Sequence, residues 1–258
     1  MEWKKTMSTF VALAACGMLT MSVGCGKNEK TDVAAPSDNS KKLLMVTEAT
    51  FPPYEYMENS KIVGIDPEIV GEIAKNLGYT LEIQDMKFDS VILAVQTGKA
   101  DIAASGITVT EDRKKQINFT VPYVTAAQVI IVPKNSTIKT PDDLKGKRIG
   151  VQQGTTGDTY VKDNIGEPER YDNGALAVAA LRAGKVDAVV LDSEPSKVHV
   201  SEYPNEIMLL PVALTQEEYA FALNKNNTKL LKGFNDELIK MRASGRLQQI
   251  LDKYLNKK

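Results

Sequence analysis

The chain has 258 residues, with 32 Lys or Arg and 33 Asp or Glu, so its net charge is close to zero. It lacks the basic stripe on which nucleic-acid binding depends, and no nucleic-acid partner is expected. One histidine, His199, and two cysteines, Cys16 and Cys25, are too few for a zinc site or a Ser-His-Asp triad. We expect no metal, no cofactor and no catalytic residues.

The first 24 residues have the pattern of a secretory signal peptide. A basic start precedes an apolar stretch at 7–23, which ends in Val-Gly-Cys. That ending resembles a lipobox, in which the cysteine is acylated, so Cys25 is the expected lipidation site. The alternative is a transmembrane anchor, because an apolar stretch of this length is at the lower limit for a span. The polar segment 25–40 is predicted to be a flexible tether.

From residue 41 onward, short apolar runs alternate with helical patterns. Asp66 is predicted to cap a helix that has Pro67 at its first position, and Ser90, Thr140 and Asn173 are predicted to cap three others. The predicted strands lie at 43–47, 80–83, 101–104, 148–151, 186–191 and 219–223, and the longer predicted helices at 67–77, 91–97, 156–164, 175–183, 228–243 and 246–255. This alternation predicts an α/β architecture with largely parallel sheets.

The loops that follow the strands are the candidate binding region, because ligands in α/β sheets bind at the carboxyl ends of the strands. The first such loop begins with Glu48 and contains Phe51. A carboxylate beside an aromatic ring can hold a cation against an apolar wall. From this loop alone, packing of Phe51 on the core is the favoured explanation of the ring.

The loop after the third predicted strand contains Ser105, Gly106 and Thr108. Gly106 lets the backbone approach a ligand closely, and the two hydroxyls can bind one. Thr110 is predicted to cap a short helix that contains Arg113, and a guanidinium near a helix N-terminus suits a carboxylate. A solvated helix face would explain the same charged segment.

Two later loops add polar groups. The turn that starts at Gln152 and leads into the helix at Thr156 lacks the Gly-Lys-Ser/Thr of a P-loop, so a nucleotide is not expected. Asp192 follows the predicted strand 186–191, where it could hold an ammonium group. It could equally cap the next helix, and the sequence alone leaves both interpretations open.

Six stretches together resemble one family. They are 51–56 (FPPYEY), 64–66 (GID), 104–113 (ASGITVTEDR), 119–123 (FTVPY), 150–156 (GVQQGTT) and 186–192 (VDAVVLD). In their order and spacing they resemble the polar amino acid solute-binding proteins of ABC importers, solute-binding family 3. The resemblance extends over residues 43–255.

The resemblance implies a two-lobed, type II periplasmic-binding-protein fold with a ligand cleft between the lobes. One lobe would comprise 41–126 and 218–258, and the other 127–217. The implied partners are a free L-amino acid, the permease of an ABC transporter, and the membrane through a lipid anchor on the extracytoplasmic face. A monomer without enzymatic activity is expected.

The same resemblance assigns roles at both charged ends of an amino acid. Arg113 would bind the α-carboxylate, together with Thr108 and the turn at Thr156. Asp192 and the backbone of Gly106 would hold the α-ammonium group.

The side chain of the ligand would lie between Phe51 and Phe88, with Glu48 and Gln152 at its far end. An acid at position 48 favours arginine or lysine. The alternative is glutamine, cystine or another neutral polar amino acid, because some members that bind neutral ligands also have an acid there. A secreted cyclohexadienyl dehydratase of the same fold is the enzymatic alternative.

Overall fold

The computed structural model describes residues 41–256, so the predicted signal peptide and tether lie outside the described residues. Within 41–256, no helix is both long and apolar enough to cross a membrane. The strands are β1 (Lys41–Thr47), β2 (Thr50–Phe51), β3 (Glu55–Glu58), β4 (Lys61–Val63), β5 (Tyr79–Asp85), β6 (Ile102–Ala103), β7 (Asn118–Phe119), β8 (Val124–Ala126), β9 (Gln128–Pro133), β10 (Ile149–Gln152), β11 (Glu169–Tyr171), β12 (Ala188–Asp192), β13 (Ile207–Ala213), β14 (Glu217–Tyr219) and β15 (Ala222–Leu223). The α-helices are α1 (Ile65–Asn76), α2 (Phe88–Gln96), α3 (Glu111–Gln116), α4 (Thr156–Asn164), α5 (Gly174–Arg182), α6 (Ser193–Glu202), α7 (Thr228–Ala243) and α8 (Arg246–Leu255), with one 3₁₀ turn at Pro141–Leu144.

The first sheet has the order β5-β1-β6-β15-β7. β1 pairs in parallel with β5 and β6, whereas β15 is antiparallel to β6 and β7. Both faces are covered: Met45 packs in the cluster that includes α1, α7 and α8, and the next residue, Val46, packs in the cluster that includes α2. Burial on both faces explains the continuous apolar run of β1. We call this sheet and its helices the first lobe.

The second sheet has the order β11-β10-β12-β9-β13. β10, β11 and β12 are parallel, and β9 is antiparallel to both β12 and β13. Val151 and Val190 pack with Val161 of α4 on one face, while α5 covers the other face with residues such as Leu181. We call this sheet with α4, α5 and α6 the second lobe.

Two strands connect the lobes. The chain passes from the first sheet to the second through β8 and returns through β14, and these strands pair antiparallel, with Glu217 opposite Ala126. A small sheet of β2, β3 and β4 precedes α1 in the first lobe. This is the two-lobed α/β arrangement that the sequence predicts, and it brings the carboxyl ends of β1, β10 and β12 together.

Two predicted N-caps are wrong. α1 begins at Ile65 after Gly64, and Asp66 lies fully buried inside its first turn, where its carboxylate accepts bonds from buried donors instead of capping the helix. α2 begins at Phe88 after Lys87, and the hydroxyl of Ser90 donates to the side chain of Asp89. The caps at Thr140 and Asn173 are confirmed.

The predicted strand at 219–223 and the predicted sheet direction also need correction. The segment forms parts of two strands, β14 and β15, because the chain leaves the connecting pair at Tyr219 and enters the first sheet at Ala222. Both sheets are mixed rather than largely parallel, because each includes one chain segment that returns in the opposite direction.

Candidate functional site

A narrow cavity lies between the lobes at the carboxyl ends of the strands, and its free volume is about 10 Å³. That volume holds about one water molecule and is far below the 300–1,000 Å³ typical of open small-molecule sites. We call it the cleft cavity. Thr155 and all ten residues nominated from the sequence line it. Those ten are Glu48, Phe51, Phe88, Ser105, Gly106, Thr108, Arg113, Gln152, Thr156 and Asp192.

Glu48 lies directly after β1 and is buried. Its backbone N–H donates to Ser105 Oγ at 3.0 Å, and its Oε2 accepts a bond from Gln152 Nε2 of the second lobe at 2.6 Å. Burial raises the pKa of Glu48 to about 7, although the bonds from Gln152 and Thr50 oppose the shift. The Glu48 carboxyl can therefore be charged or neutral near physiological pH, depending on what binds beside it.

Arg113 is positioned by the short helix α3. Thr110 caps this helix by accepting a bond from the Arg113 N–H, as the sequence predicts. The guanidinium donates to the carbonyl oxygen of Thr108 at 2.9 Å and, across the cleft, to that of Gly154 at 3.1 Å. It also lies 5.6 Å from the ring centre of Phe88. These contacts fix the orientation of a group that has five N–H donors and leave others for an anion.

The charge of Arg113 is retained although the residue is partly buried. Desolvation lowers the pKa of its guanidinium, whereas the nearby carboxylates of Asp192 and Glu217 raise it. Because an arginine titrates far above neutral pH, the group remains a cation in the cleft.

Asp192 is the last residue of β12 and is buried. It precedes α6 in the N-cap position, yet its side chain makes no capping bond. Its Oδ1 accepts a bond of 2.5 Å from the hydroxyl of Tyr219 instead. Burial raises the pKa of Asp192 to about 6, and the hydrogen bond from Tyr219 and the charge of Arg113 oppose the shift. The structure thus decides against the helix-cap interpretation of this carboxylate.

Position 106 has no room for a side chain. Its φ is +51°, and a Cβ atom built on it would lie 2.7 Å from the Phe51 ring. Phe51 and Phe88 are both buried and form the apolar part of the wall. The Phe51 ring stacks on Tyr54 at 5.9 Å between centroids, so it is both a core contact and a cavity wall.

A model of a known family matches residues 43–257, namely the bacterial extracellular solute-binding proteins, family 3. The chain belongs to this family. It is 35% identical over 262 residues to the probable histidine-binding protein of Neisseria gonorrhoeae, with 97% of each chain covered. It is 31% identical over 223 residues to ABC transporter arginine-binding protein 1 of Escherichia coli, which covers 83% of this chain and 91% of that protein.

The chain also resembles the solved structure of an ancestral arginine-binding protein bound to glutamine. The TM-score of this match is 0.79 and the sequence identity is 38%. The match covers 84% of this chain and 98% of that one. The predicted family and the two-lobed fold are therefore confirmed. All three similar proteins are named for binding an amino acid, and none is named as an enzyme.

Sequence reasoning missed one buried carboxylate of this solute-binding protein. Glu217 Oε2 accepts bonds from Thr108 Oγ1 of the first lobe at 2.7 Å and from Thr156 Oγ1 of the second lobe at 2.9 Å. Thr156 Oγ1 also accepts a bond from Gln128 Nε2 at 3.0 Å. The hydroxyl protons of both threonines therefore point to Glu217. Its Oε1 accepts a bond from the nearby Thr215 Oγ1 at 2.8 Å, but the two partners that join the lobes are 109 and 61 positions away, so no local pattern marks this role.

The single histidine of the chain lies outside the cleft cavity. His199 is buried in α6, with Nδ1 3.5 Å from Glu202, and burial lowers its pKa. Among residues 41–256, no group of His, Cys, Asp and Glu side chains is arranged to hold a metal ion.

Proposed function

We propose that this solute-binding protein captures a polar amino acid outside the cytoplasm and delivers it to an ABC importer. One observation carries the proposal: the cleft cavity combines a fixed cation, Arg113, and a fixed anion, Asp192, with two aromatic walls. An amino acid zwitterion needs both charges, because a buried charge without a partner is costly.

The carboxylate end is proposed to bind at Arg113 and at the start of α4. The hydroxyl proton of Thr156 is engaged by Glu217, so its backbone N–H is the better donor for the ligand. Amides in the first turn of a helix have no partner within the helix and favour an anion. Thr108 likewise donates to Glu217, so its oxygen can accept a bond only from the α-ammonium group and not from the carboxylate.

Asp192 is proposed to hold the α-ammonium group, with Gly106 supplying its backbone nearby. Because Arg113 belongs to the first lobe and Asp192 to the second, an amino acid bound to both would bridge the lobes. Such a ligand stabilises the closed form, in which both contacts exist at once.

Glu48 and Gln152 are proposed to bind the far end of the side chain. Two anions, Glu48 and Asp192, and one cation, Arg113, line the cavity, and a dibasic amino acid balances them with two cations and one anion. Gln152 Oε1 is buried and accepts no hydrogen bond, so it can take a donor from the ligand. Two acceptors at this end favour the guanidinium of arginine or the ammonium of lysine.

Neutral ligands such as glutamine or cystine are the alternative. With its pKa near 7, Glu48 can be protonated, and a neutral carboxyl can bond to an amide without an unpaired charge. The structure of an ancestral arginine-binding protein bound to glutamine supports this alternative in a similar chain.

The ligand is assigned to the cleft cavity and not to a larger groove beside it. That groove passes the outer side of Arg113 and includes Lys114, Tyr160 and Asp163. It is open to solvent, whereas small ligands are held in sites that bury most of their surface.

We further propose that the protein is a monomer without enzymatic activity, tethered to the membrane by lipid on Cys25. The predicted lobe boundaries, with 127–217 inserted between 41–126 and 218–258, agree with the strand order. A dehydratase would need a proton donor in the cleft, and Glu48 has a suitable pKa. Asp192 and Arg113 are nevertheless explained better by an amino acid zwitterion.

Thermal unfolding of the purified protein with each standard amino acid, and with prephenate, tests the proposal. A ligand at 100 times its dissociation constant should stabilise the protein by about 2.7 kcal/mol. Stabilisation by arginine or lysine supports the favoured ligand class, and stabilisation by glutamine or cystine supports the neutral alternative. Stabilisation by prephenate alone would replace the binding function with the enzymatic one.

A further inference from the structure

Two carboxyl groups are fully buried directly behind the wall of the cleft cavity. Glu55 lies in β3 and Asp66 in the first turn of α1, and each has 0% of its surface exposed. Within residues 41–256, neither has a salt bridge to a lysine, arginine or histidine. Two adjacent buried anions without a cation are strongly disfavoured, so the arrangement needs another form of compensation.

The hydrogen bonds distinguish the two groups. Both oxygens of Asp66 accept bonds, Oδ1 from the Tyr123 hydroxyl at 2.5 Å and Oδ2 from the Gly106 N–H at 3.1 Å. Glu55 Oε1 accepts a bond from Ser105 Oγ at 3.2 Å, but its Oε2 is buried and accepts none. This pattern fits an ionised Asp66 and a neutral Glu55, because a protonated oxygen needs an acceptor and not a donor.

We propose that Glu55 carries a proton on Oε2 and donates it to Asp66, and that the resulting carboxyl pair positions the ligand-binding segment at Ser105 and Gly106. Each carboxyl affects the pKa of the other, in the direction that raises the pKa of Glu55 and lowers that of Asp66. The inference rests on the proposed function for its effect on binding, but not for the location of the proton.

The pair reaches the cavity through two short chains of bonds. Asp66 holds the Gly106 amide, and Glu55 binds the Ser105 hydroxyl, which in turn accepts the backbone N–H of Glu48. Neither member of the pair lines the cavity. Both are therefore positioning residues, which act on a ligand only through the segment that they hold.

Electrostatics favours the same location of the proton. Burial, followed by the negative charge of Asp66, raises the pKa of Glu55 well above its ordinary value. Burial raises the pKa of Asp66 only to about 6, because the bonds from Tyr123 and Gly106 oppose it. Two hydrogen-bond donors act on Asp66 and one acts on Glu55, which places the proton on Glu55.

The surrounding titratable groups supply no cation that could change this order. Glu48 faces the pair from the loop after β1, and Tyr54 and Tyr123 face it from their own segments. Behind Tyr54 lie Tyr219 and the more distant Asp192 and Glu194. The stability that the pair contributes is complete at low pH and is lost as the pH rises through the raised pKa of Glu55, because two facing anions then remain.

Infrared spectroscopy of the unliganded protein tests the location of the proton. At about pH 8.5, Glu48 and Asp192 are ionised, so a carbonyl stretch of a protonated carboxylic acid would report the pair. We expect this band in the wild type and its loss in Glu55→Gln. The matched control is Glu58→Gln, which makes the same change on the exposed end of β3 and should keep the band.

Two outcomes of that measurement would overturn the proposal. A wild type without the band would show that both carboxyls are ionised. A band that persists in Glu55→Gln and disappears in Asp66→Asn would show that the proton belongs to Asp66.

Amino-acid affinity tests the positioning role. A glutamine at position 55 keeps an N–H donor to Asp66, whereas a leucine does not. Glu55→Gln should therefore bind the ligand about tenfold more tightly than Glu55→Leu. Equal affinities of these two variants would overturn the positioning role. If no amino acid binds even the wild type, the proposed function fails, whereas the infrared result still decides where the proton is.

Discussion

Arg113 interacts with both lobes and, in our proposal, with the ligand. Its guanidinium donates to the carbonyls of Thr108 and Gly154, which fixes it in place without neutralising it. Replacing it with alanine should weaken amino-acid binding by about 2–5 kcal/mol, because the ligand carboxylate would be buried without a partner. Calorimetric titration measures this loss.

Lys114 provides a matched control for that change. It is the next residue, it is exposed, and it pairs with Glu111 on the helix surface. Lys114→Ala should change affinity by less than about 0.5 kcal/mol. An Arg113→Ala variant that binds like Lys114→Ala would show that the ligand lies elsewhere.

The ionisation of Glu48 should determine how ligand affinity depends on pH. A cationic ligand side chain requires the ionised carboxylate, so arginine affinity should fall as the pH decreases below about 7, by at most about tenfold per pH unit. Binding would then release protons, which titration in buffers of different ionisation enthalpy detects. Glutamine affinity should change much less over the same range.

The variant Glu48→Gln separates charge from shape. This substitution should weaken arginine binding by about 1.5–3 kcal/mol, because a hydrogen bond to a charged group is lost. The affinity for glutamine should stay unchanged. An arginine affinity that is unchanged in the variant and flat with pH would contradict the role of Glu48 at the end of the side chain.

Much of the site could be predicted from residue types, because each loop after a strand contributes polar groups at one edge. All ten nominated residues line one cavity. The direction in which each side chain points could not be predicted. Asp192 was ambiguous in sequence, and only its bond to Tyr219 shows that the carboxylate does not cap α6. Glu217 was missed because its role depends on partners that are distant along the chain.

At the scale of elements, β14 both returns the chain to the first lobe and carries the carboxylate that joins the lobes. Glu217→Ala would remove acceptors from Thr108 and Thr156 and should reduce the free energy of unfolding by about 1–3 kcal/mol. Urea denaturation measures this loss.

The neighbouring Glu218 is the control for β14. Its side chain is exposed, and its backbone carbonyl, which accepts the Val109 N–H, is unaffected by substitution. Glu218→Ala should stay within about 0.5 kcal/mol of the wild type. Equal destabilisation by both variants would show that the effect belongs to the strand and not to the Glu217 carboxylate.

Helix positions were more predictable than helix starts. α4, α7 and α8 have the predicted bounds because a helical period extends over their whole length. The start of α1 differs because Asp66 has the chemistry of an N-cap but is needed by the buried donors of Gly106 and Tyr123. Tertiary hydrogen bonding overrides a local preference there.

At the scale of the whole molecule, the predicted membrane attachment depends on a residue outside the described part of the chain. Cys25→Ser should release the protein from the membrane fraction without changing ligand affinity, because lipid is the proposed anchor. Cys16→Ser, which changes the same residue type within the predicted signal peptide, should leave the protein attached. A Cys25→Ser protein that stays in the membrane fraction would indicate that the apolar segment 7–23 spans the membrane.

The two-lobed fold was implied by the family resemblance, whereas the direction of each strand could not be predicted from the sequence. Periodicity reports which face of a strand is buried and contains no information on whether its neighbour is parallel. β9 and β15 run opposite to the other strands of their sheets because each follows a strand that crosses between the lobes, which is a property of topology.

The pairing of Glu217 with Ala126 has a consequence for how such proteins diversify. The second lobe enters and leaves the fold at adjacent residues, so it is a removable insertion whose replacement need not disturb the first lobe. Gln152, Thr156 and Asp192 all belong to that insertion. Recombination at β8 and β14 would therefore exchange these three recognition residues at once, while Arg113 and its binding segment remain intact.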